Sequence, residues 1–389
     1  MSTPRSPFTI PEALTISFDA VQAPTFGRAT KSLTALKAVG DGSFGSVWLC
    51  DWHSELSFPI ELTAPSAGPG SRPEYQGKRV VAVKRMKRQW RGDEGDWRTL
   101  REIQALRSIP RHANIVPLLD AFVDPDGHEL YLVFEALEGH LLQLIKARRG
   151  RPLADGLLAS IFVQLTRGIA HIHASGYMHR DLIPENIMLT TFGLHEYPGF
   201  YDADDAEARD VLLVLKIADF GQVRGSRGVQ TYTEYVGERW YRAPEVLLKS
   251  RRYTTAVDMW ALGCIVVELL NLRPLFPGKS EYDMMEKLVH ALGDPATDFS
   301  ADTELAGGGQ WAEGVELGLQ VGYIFPQGSP PQPIRDLVGL SYTRASLTDC
   351  ISALLRWDPG ARLTGAECLF HPYFIRASAY VDALPSAPV

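Results

Sequence analysis

The hydrophobic pattern of this chain changes period once, near Leu137, and that change restricts the fold more than any other feature. Before it, apolar residues come in short runs rich in β-branched and aromatic side chains. These are SLTALKAV from Ser32, SVWLCDW from Ser46, RVVAVKRM from Arg79, IVPLLDAF from Ile115 and ELYLVFEAL from Glu129. Glycines and turn formers bound them, so they read as five strands. One helix-like segment interrupts them: Trp97, Leu100, Ile103 and Leu106 recur at three-residue spacing and share one stripe. After Leu137 the period is helical. Leu157, Ile161, Leu165, Ile169 and Ile172 fall at helical intervals, and residues 253–270 are apolar nearly all round, which marks a central helix. Segments 280–293, 346–357 and 363–374 also read as helices. The fold class is α+β, a small β-rich unit followed by a larger helical one.

The remaining stretches read as connections. Residues 1–30 hold prolines and show no sustained periodicity, so they read as an extension. The proline- and glycine-rich residues 54–78, the acidic residues 191–210 and the glycine- and proline-rich residues 306–333 read as loops. With 389 residues the chain holds two or three units or one bilobal domain, at roughly 100–200 residues per domain. Its 39 Lys+Arg against 46 Asp+Glu argue against nucleic-acid binding and against a polybasic membrane anchor. Cys50, Cys264, Cys350 and Cys368 form no C-x-x-C pair and read as reduced, buried thiols. The N-terminus lacks a signal-like apolar core, and residues 260–270 fall far short of the ~20 that span a bilayer. The expectation is a soluble intracellular protein with no membrane partner.

The chemistry-bearing residues occur in a fixed order. Gly40, Gly42, Gly45 and Val47 fit G-x-G-x-x-G-x-V, in which glycines let backbone N–H groups approach phosphate oxygens. A dinucleotide fold would need a helix directly after the third glycine; the run there is strand-like instead. Lys84 ends the third run and can hold a charge against phosphates; Glu102 on the helix can fix its head. His179-Arg180-Asp181-Leu182-Ile183-Pro184-Glu185-Asn186 supplies an aspartate to accept a hydroxyl proton and an asparagine oxygen that suits magnesium. Asp219-Phe220-Gly221 adds a second oxygen ligand, and Ala243-Pro244-Glu245 follows.

At these residues the chain resembles a eukaryotic protein kinase over about 33–375. Thr233-Glu234-Tyr235 ahead of Arg239-Trp240-Tyr241-Arg242 resembles the Thr-x-Tyr activation segment of MAP kinases and their relatives, and the segment from Arg273 resembles that of the CMGC group. VAVKRMKRQW from Val81 resembles the male-germ-cell-associated and fungal meiosis-inducing kinases. The resemblance implies a bilobal kinase domain at 33–375, with an N-lobe at about 33–136 and a C-lobe at about 137–375. Residues 1–32 would be an extension and 376–389 a tail. It implies a Ser/Thr kinase using ATP and Mg2+, acting on protein substrates as a monomer in the cytoplasm and/or nucleus. Val39, Gly40, Gly42, Gly45, Val47, Ala82, Lys84, Phe134, Glu135, Leu137 and Leu189 would bind ATP, Phe134 as gatekeeper. Lys84, Glu102, Asp181, Asn186 and Asp219 would be catalytic, the last two holding magnesium. Leu106, Phe220 and His179 would stack, Asp258 would brace the catalytic loop and Glu245 would pair with Arg362. Thr233 and Tyr235 would be phosphorylated, Thr233 by an upstream kinase.

Two positions depart from the family. Ile183 stands where it has lysine, and Glu238 where it has Ser or Thr. A cation is lost and an anion gained beside Asp181. The alternative reading is therefore an ATP-binding pseudokinase or scaffold with weak catalysis, unless Arg180, Arg239 or Arg242 neutralises Glu238.

Overall fold

The structure, a computed structural model, describes residues 15–22, 28–41, 45–57, 72–89, 97–124, 129–191, 213–226, 237–299, 308–339, 345–375 and 377. The five strand-like runs are strands: β2 (Arg28–Asp41), β3 (Gly45–Trp52), β4 (Val80–Gln89), β5 (Leu118–Val123) and β6 (Glu129–Glu135). Alternate residues Leu33 and Ala35, Cys50 and Trp52, and Val81 and Val83 enter one buried cluster, as a period of two requires. Inside this lobe Lys31 and Asp120 form a buried ion pair, and Ser57 Oγ donates to Asp120 at 2.7 Å.

A further strand, β1 (Thr15–Gln22), lies within the stretch that the sequence reads as an extension. It pairs antiparallel with β2 from Thr15↔Thr34 to Val21↔Arg28, and with β5 at Val21↔Val123. It closes the sheet into a barrel ordered β1-β2-β3-β4-β6-β5. The physical reason is that β2 and β5 would otherwise be open edges with unpaired backbone groups. A signal exists in the alternation Ile16-Ser17-Phe18-Asp19-Ala20, though prolines at 11 and 24 obscure it. Helix α1 (Trp97–Ser108) carries Ile103, which is fully buried against β5 and β6 residues.

The second lobe is built on α3 (Asp155–Ala174) and α5 (Ala256–Asn271). All but a few residues of α5 are buried, including Trp260, Cys264 and Glu268. Strands β7 (Gly139–His140), β9 (Ile187–Thr191) and β10 (Leu213–Ile217) form a small sheet in the order β10-β9-β7. Around the core lie α6 (Glu281–Leu292), capped by Ser280 Oγ accepting from Asp283 N at 3.1 Å, and α9 (Ala345–Leu354). Helix α10 (Gly365–Leu369) starts in a capping box between Thr364 and Glu367.

The 306–333 stretch is not all loop, because α7 spans Ala312–Val321. Its glycines have a packing role. A Cβ at Gly314 would run into the ring of Trp311, and one at Gly318 would lie 2.9 Å from Phe325 Cε2. Close approach of aromatic rings here overrides the poor helix propensity of glycine. The acidic 191–210 stretch lies almost wholly outside the described residues; its flanks Thr191 and Leu213 pair directly.

Candidate active site

Three elements converge on Lys84. It lies on β4, opposite Val47 of β3 and Leu132 of β6. Its Nζ is 3.6 Å from Glu102 Oε1 on α1 and 3.2 Å from Asp219 Oδ1 just beyond β10. Burial alone would lower the lysine's pKa, but the two carboxylates outweigh it and push it up, so Lys84 stays charged. Burial likewise works against an ionised Asp219, yet Lys84's charge and hydrogen bond hold its carboxyl below the usual range. Glu102 is 2% exposed, and its burial pushes its carboxyl up against the pull of Lys84.

The segment 179–186 is held from beneath. Asp258 accepts from the backbone N–H of His179 at 2.8 Å and of Arg180 at 2.7 Å, and His173 Nε2 lies 2.8 Å away. These contacts hold Arg180 at a positive φ of 69°, a backbone state costly for a non-glycine residue. His179 donates from Nε2 to Ala218 O at 3.0 Å and stacks edge-on against Phe220 at 5.0 Å. Asp219 follows at φ 61°. The ring pair and Asp258 therefore aim Asp181 and Asp219 at one region.

Asn186 Nδ2 donates to Asp181 O at 2.9 Å and to Asp181 Oδ2 at 3.2 Å. That bond orients the amide and leaves its carbonyl oxygen as the end available to a cation. Burial, with Asp219 adding, raises the Asp181 carboxyl above its usual range; His179, the Glu238 backbone N–H and Asn186 oppose it.

Of the glycines, Gly40 pairs with Val47, Gly45 starts β3, and Gly42 lies outside the described residues. A Cβ at Gly45 would run into the carbonyl of Arg85, so packing requires glycine there. A Cβ at Gly40 would meet nothing within 4 Å; that space is open for a ligand. Val39 beside it is 57% exposed. Ala82 lies opposite Phe134, and Glu135 ends β6. Leu137 is buried in the crossing to the second lobe, and Glu138 N donates to Leu189 O at 3.0 Å beneath that crossing. Leu106 is partly buried against the core cluster that holds Phe220.

The structural pair expected at Glu245 and Arg362 is present, with two bonds of 2.7 Å, both side chains being buried. Ile183 is partly buried against the second lobe's core, whereas Glu238 is exposed. Both line one small cavity with Asp181. Among the described residues no lysine or arginine pairs with Glu238. Arg180 donates to Gln222 O and Tyr253 Oη, Arg239 to Lys279 O, and Arg242 to Gly237 O, with Glu281 at 3.5 Å. Thr233 and Tyr235 lie outside the described residues.

The sequence reading missed Gly237. Its φ is +73°, and a Cβ there would lie 2.8 Å from Arg180 O, so only glycine lets the following N–H reach Asp181. A lone glycine beside Glu238 carries no signal of this in one sequence. Among the described residues there is no cluster of three or more His, Cys, Asp or Glu able to hold a metal. One carboxylate and one amide oxygen, Asp219 and Asn186, suit magnesium, which takes few protein ligands and completes its shell with phosphate and water.

The protein kinase domain family matches residues 74–374. The glycine strands precede that match and join it through the β3–β4 register. Cyclin-dependent kinase F-4 of Oryza sativa subsp. japonica is 37% identical over 339 residues, 87% of this chain and 60% of the relative. Sporulation protein kinase mde3 of Schizosaccharomyces pombe is 35% identical over 332 residues, 85% of this chain and 52% of the relative. Serine/threonine-protein kinase MAK of Homo sapiens is 34% identical over 341 residues, 88% and 45% of the two chains. The chain thus spans about half the length of the curated relatives it matches. The β barrel with its helix, the helical second lobe and the ordered residues between them carry the same conclusion as these similarities: the chain belongs to the protein kinase family, with MAK-like members of the CMGC group among its relatives.

Proposed function

We propose that the chain is a protein serine/threonine kinase that moves the terminal phosphoryl group of ATP to a protein hydroxyl. The observation that carries this reading is the convergence of Lys84, Glu102 and Asp219 within 3.6 Å, beside the Asp181–Asn186 hydrogen bond. The glycine strands leave room for phosphates, with Val39, Gly40, Gly45 and Val47 above the nucleotide, and Gly42 belongs to the same motif in the sequence. Ala82 and Leu189 enclose the base, Phe134 closes the back, and the backbone of Glu135 and Leu137 reads its edge. Lys84, oriented by Glu102, neutralises phosphate charge. Asn186 and Asp219 would hold magnesium, which when bound supplies further neutralisation of the phosphates. Asp181 orients the acceptor hydroxyl and takes its proton. The kinase domain is 33–375; its strand β2 already begins at Arg28, and the strand at 15–22 joins it. Thr233 and Tyr235 are regulatory phosphorylation sites, Thr233 being the target of an upstream kinase.

A second reading is favoured by Ile183 and by Glu238, with which no lysine or arginine pairs among the described residues. Loss of one well-placed cation or donor typically costs ~10²–10³ in kcat, so the chain would bind ATP as a pseudokinase or scaffold. Two measurements separate the readings. Mg·ATP should raise the melting temperature, and Asp219→Ala should remove most of the magnesium-dependent part. Phosphate incorporation on a peptide array, against an Asp181→Asn control, should be time-dependent for a kinase. A thermal shift without incorporation selects the pseudokinase, and no shift at millimolar Mg·ATP rejects both.

A further inference from the structure

Lys216 and Glu135 form an ion pair to which the proposed chemistry gives no role. Lys216 Nζ is 2.7 Å from Glu135 Oε2, and their side chains are 8% and 7% exposed. Such a buried pair must offset the desolvation of both charges, so its net contribution to stability is small and its geometry is what it fixes.

Each partner lies at one end of the proposed nucleotide site. Glu135 is the last residue of β6, opposite Val81, and the chain crosses to the second lobe directly after it. Lys216 is on β10, opposite Met188, and that strand runs straight into Asp219. The strand is itself anchored. Ile217 N donates to Asn114 O and Val116 N to Ile217 O, both at 2.9 Å. Asn114 Nδ2 donates to Leu215 O, and Gln164 Oε1 accepts from Leu215 N, again at 2.9 Å each. Lys216 therefore stands on a fixed strand, while Glu135 ends β6 at the point where the chain leaves the sheet for the second lobe.

The geometry points to Lys216 as a positioning residue for the nucleotide: through Glu135 it sets the spacing between the base-reading backbone at 135–137 and the phosphate end at Asp219. The inference rests on the nucleotide reading proposed above. With the pair gone, the crossing must be ordered by the ligand, and that ordering is subtracted from affinity.

Two variants separate positioning from stability. Lys216→Met alone leaves the buried Glu135 carboxylate without its lysine and is expected to destabilise the fold. Lys216→Met/Glu135→Met removes both charges at similar volume, an exchange that is often neutral or stabilising. The double variant should melt at or above the wild-type temperature without ligand, yet bind Mg·ADP about 5-fold more weakly by calorimetry well below that temperature. Lys216→Arg, which keeps a cation for Glu135, should restore most of the affinity. A wild type that binds Mg·ADP and a folded double variant that binds it equally well would overturn this inference alone. A wild type that binds no Mg·ADP would overturn the nucleotide reading and this inference with it.

Discussion

Glu238 and Ile183 put an exposed carboxylate and an apolar side chain beside Asp181, the proposed proton acceptor. Their effects should be coupled. Ile183→Lys adds a cation that Glu238 can capture, and Glu238→Thr removes repulsion but leaves no lysine for its hydroxyl to bridge. The double variant should gain more in kcat/KM than the product of the single gains, by a factor of about 2 to 150. Four proteins on one peptide decide it, and strictly multiplicative gains mean that the positions do not communicate. A second residue-scale effect concerns Glu268, which is 1% exposed and accepts from Tyr241 Oη at 2.6 Å. Burial, with Glu185 adding and the Tyr241 hydroxyl opposing, pushes its carboxyl up to about 7 from an ordinary 4.5. Between those values the folded chain keeps a proton that the unfolded chain has released. Its contribution is complete below pH 4.5 and is lost as pH rises to 7, by up to about 3 kcal/mol. Glu268→Gln should flatten the fall of melting temperature across that window; an unchanged slope would assign the titration elsewhere.

At the scale of elements, β1 joins the two edges of a five-stranded sheet that the sequence makes legible. The five runs were readable because each is short, β-branched and bounded by glycine or turn formers. The closure was not, since strand pairing between residue 21 and residue 123 is a non-local contact that no local pattern encodes. Helix α7 eluded the reading for a related reason: its glycines look like breakers until Trp311 and Phe325 are packed against them. Deleting residues 1–27 should expose the edges of β2 and β5. We expect a melting temperature lower by about 3 °C or more, with increased aggregation and an unchanged affinity of the folded fraction for Mg·ADP. An unchanged melting temperature in scanning fluorimetry would mean that β1 adds nothing to the barrel.

Across the whole molecule, the buried Glu245–Arg362 pair ties the short helix α4 (Pro244–Leu247) to the segment before α10. Arg362 also donates to the carbonyls of Arg356, Trp357 and Ala256. Arg362→Met should therefore cost about 3–5 kcal/mol in urea titration, and more than Glu245→Gln, which orphans fewer groups. Equal costs would show that the carbonyl bonds contribute nothing. The lobe order, the strand-borne Lys84, the helix-borne Glu102 and the motif at 179–186 are legible in the sequence, because each is written in local periodicity or in a short fixed spacing. Packing alone reveals that Gly237 must be glycine, that the printed bonds of Arg180, Arg239 and Arg242 go to groups other than the Glu238 carboxylate, and that Lys216 meets Glu135. Those outcomes depend on φ angles, on competition among carbonyls for a few donors and on contacts between residues far apart in the chain, which a linear pattern does not carry.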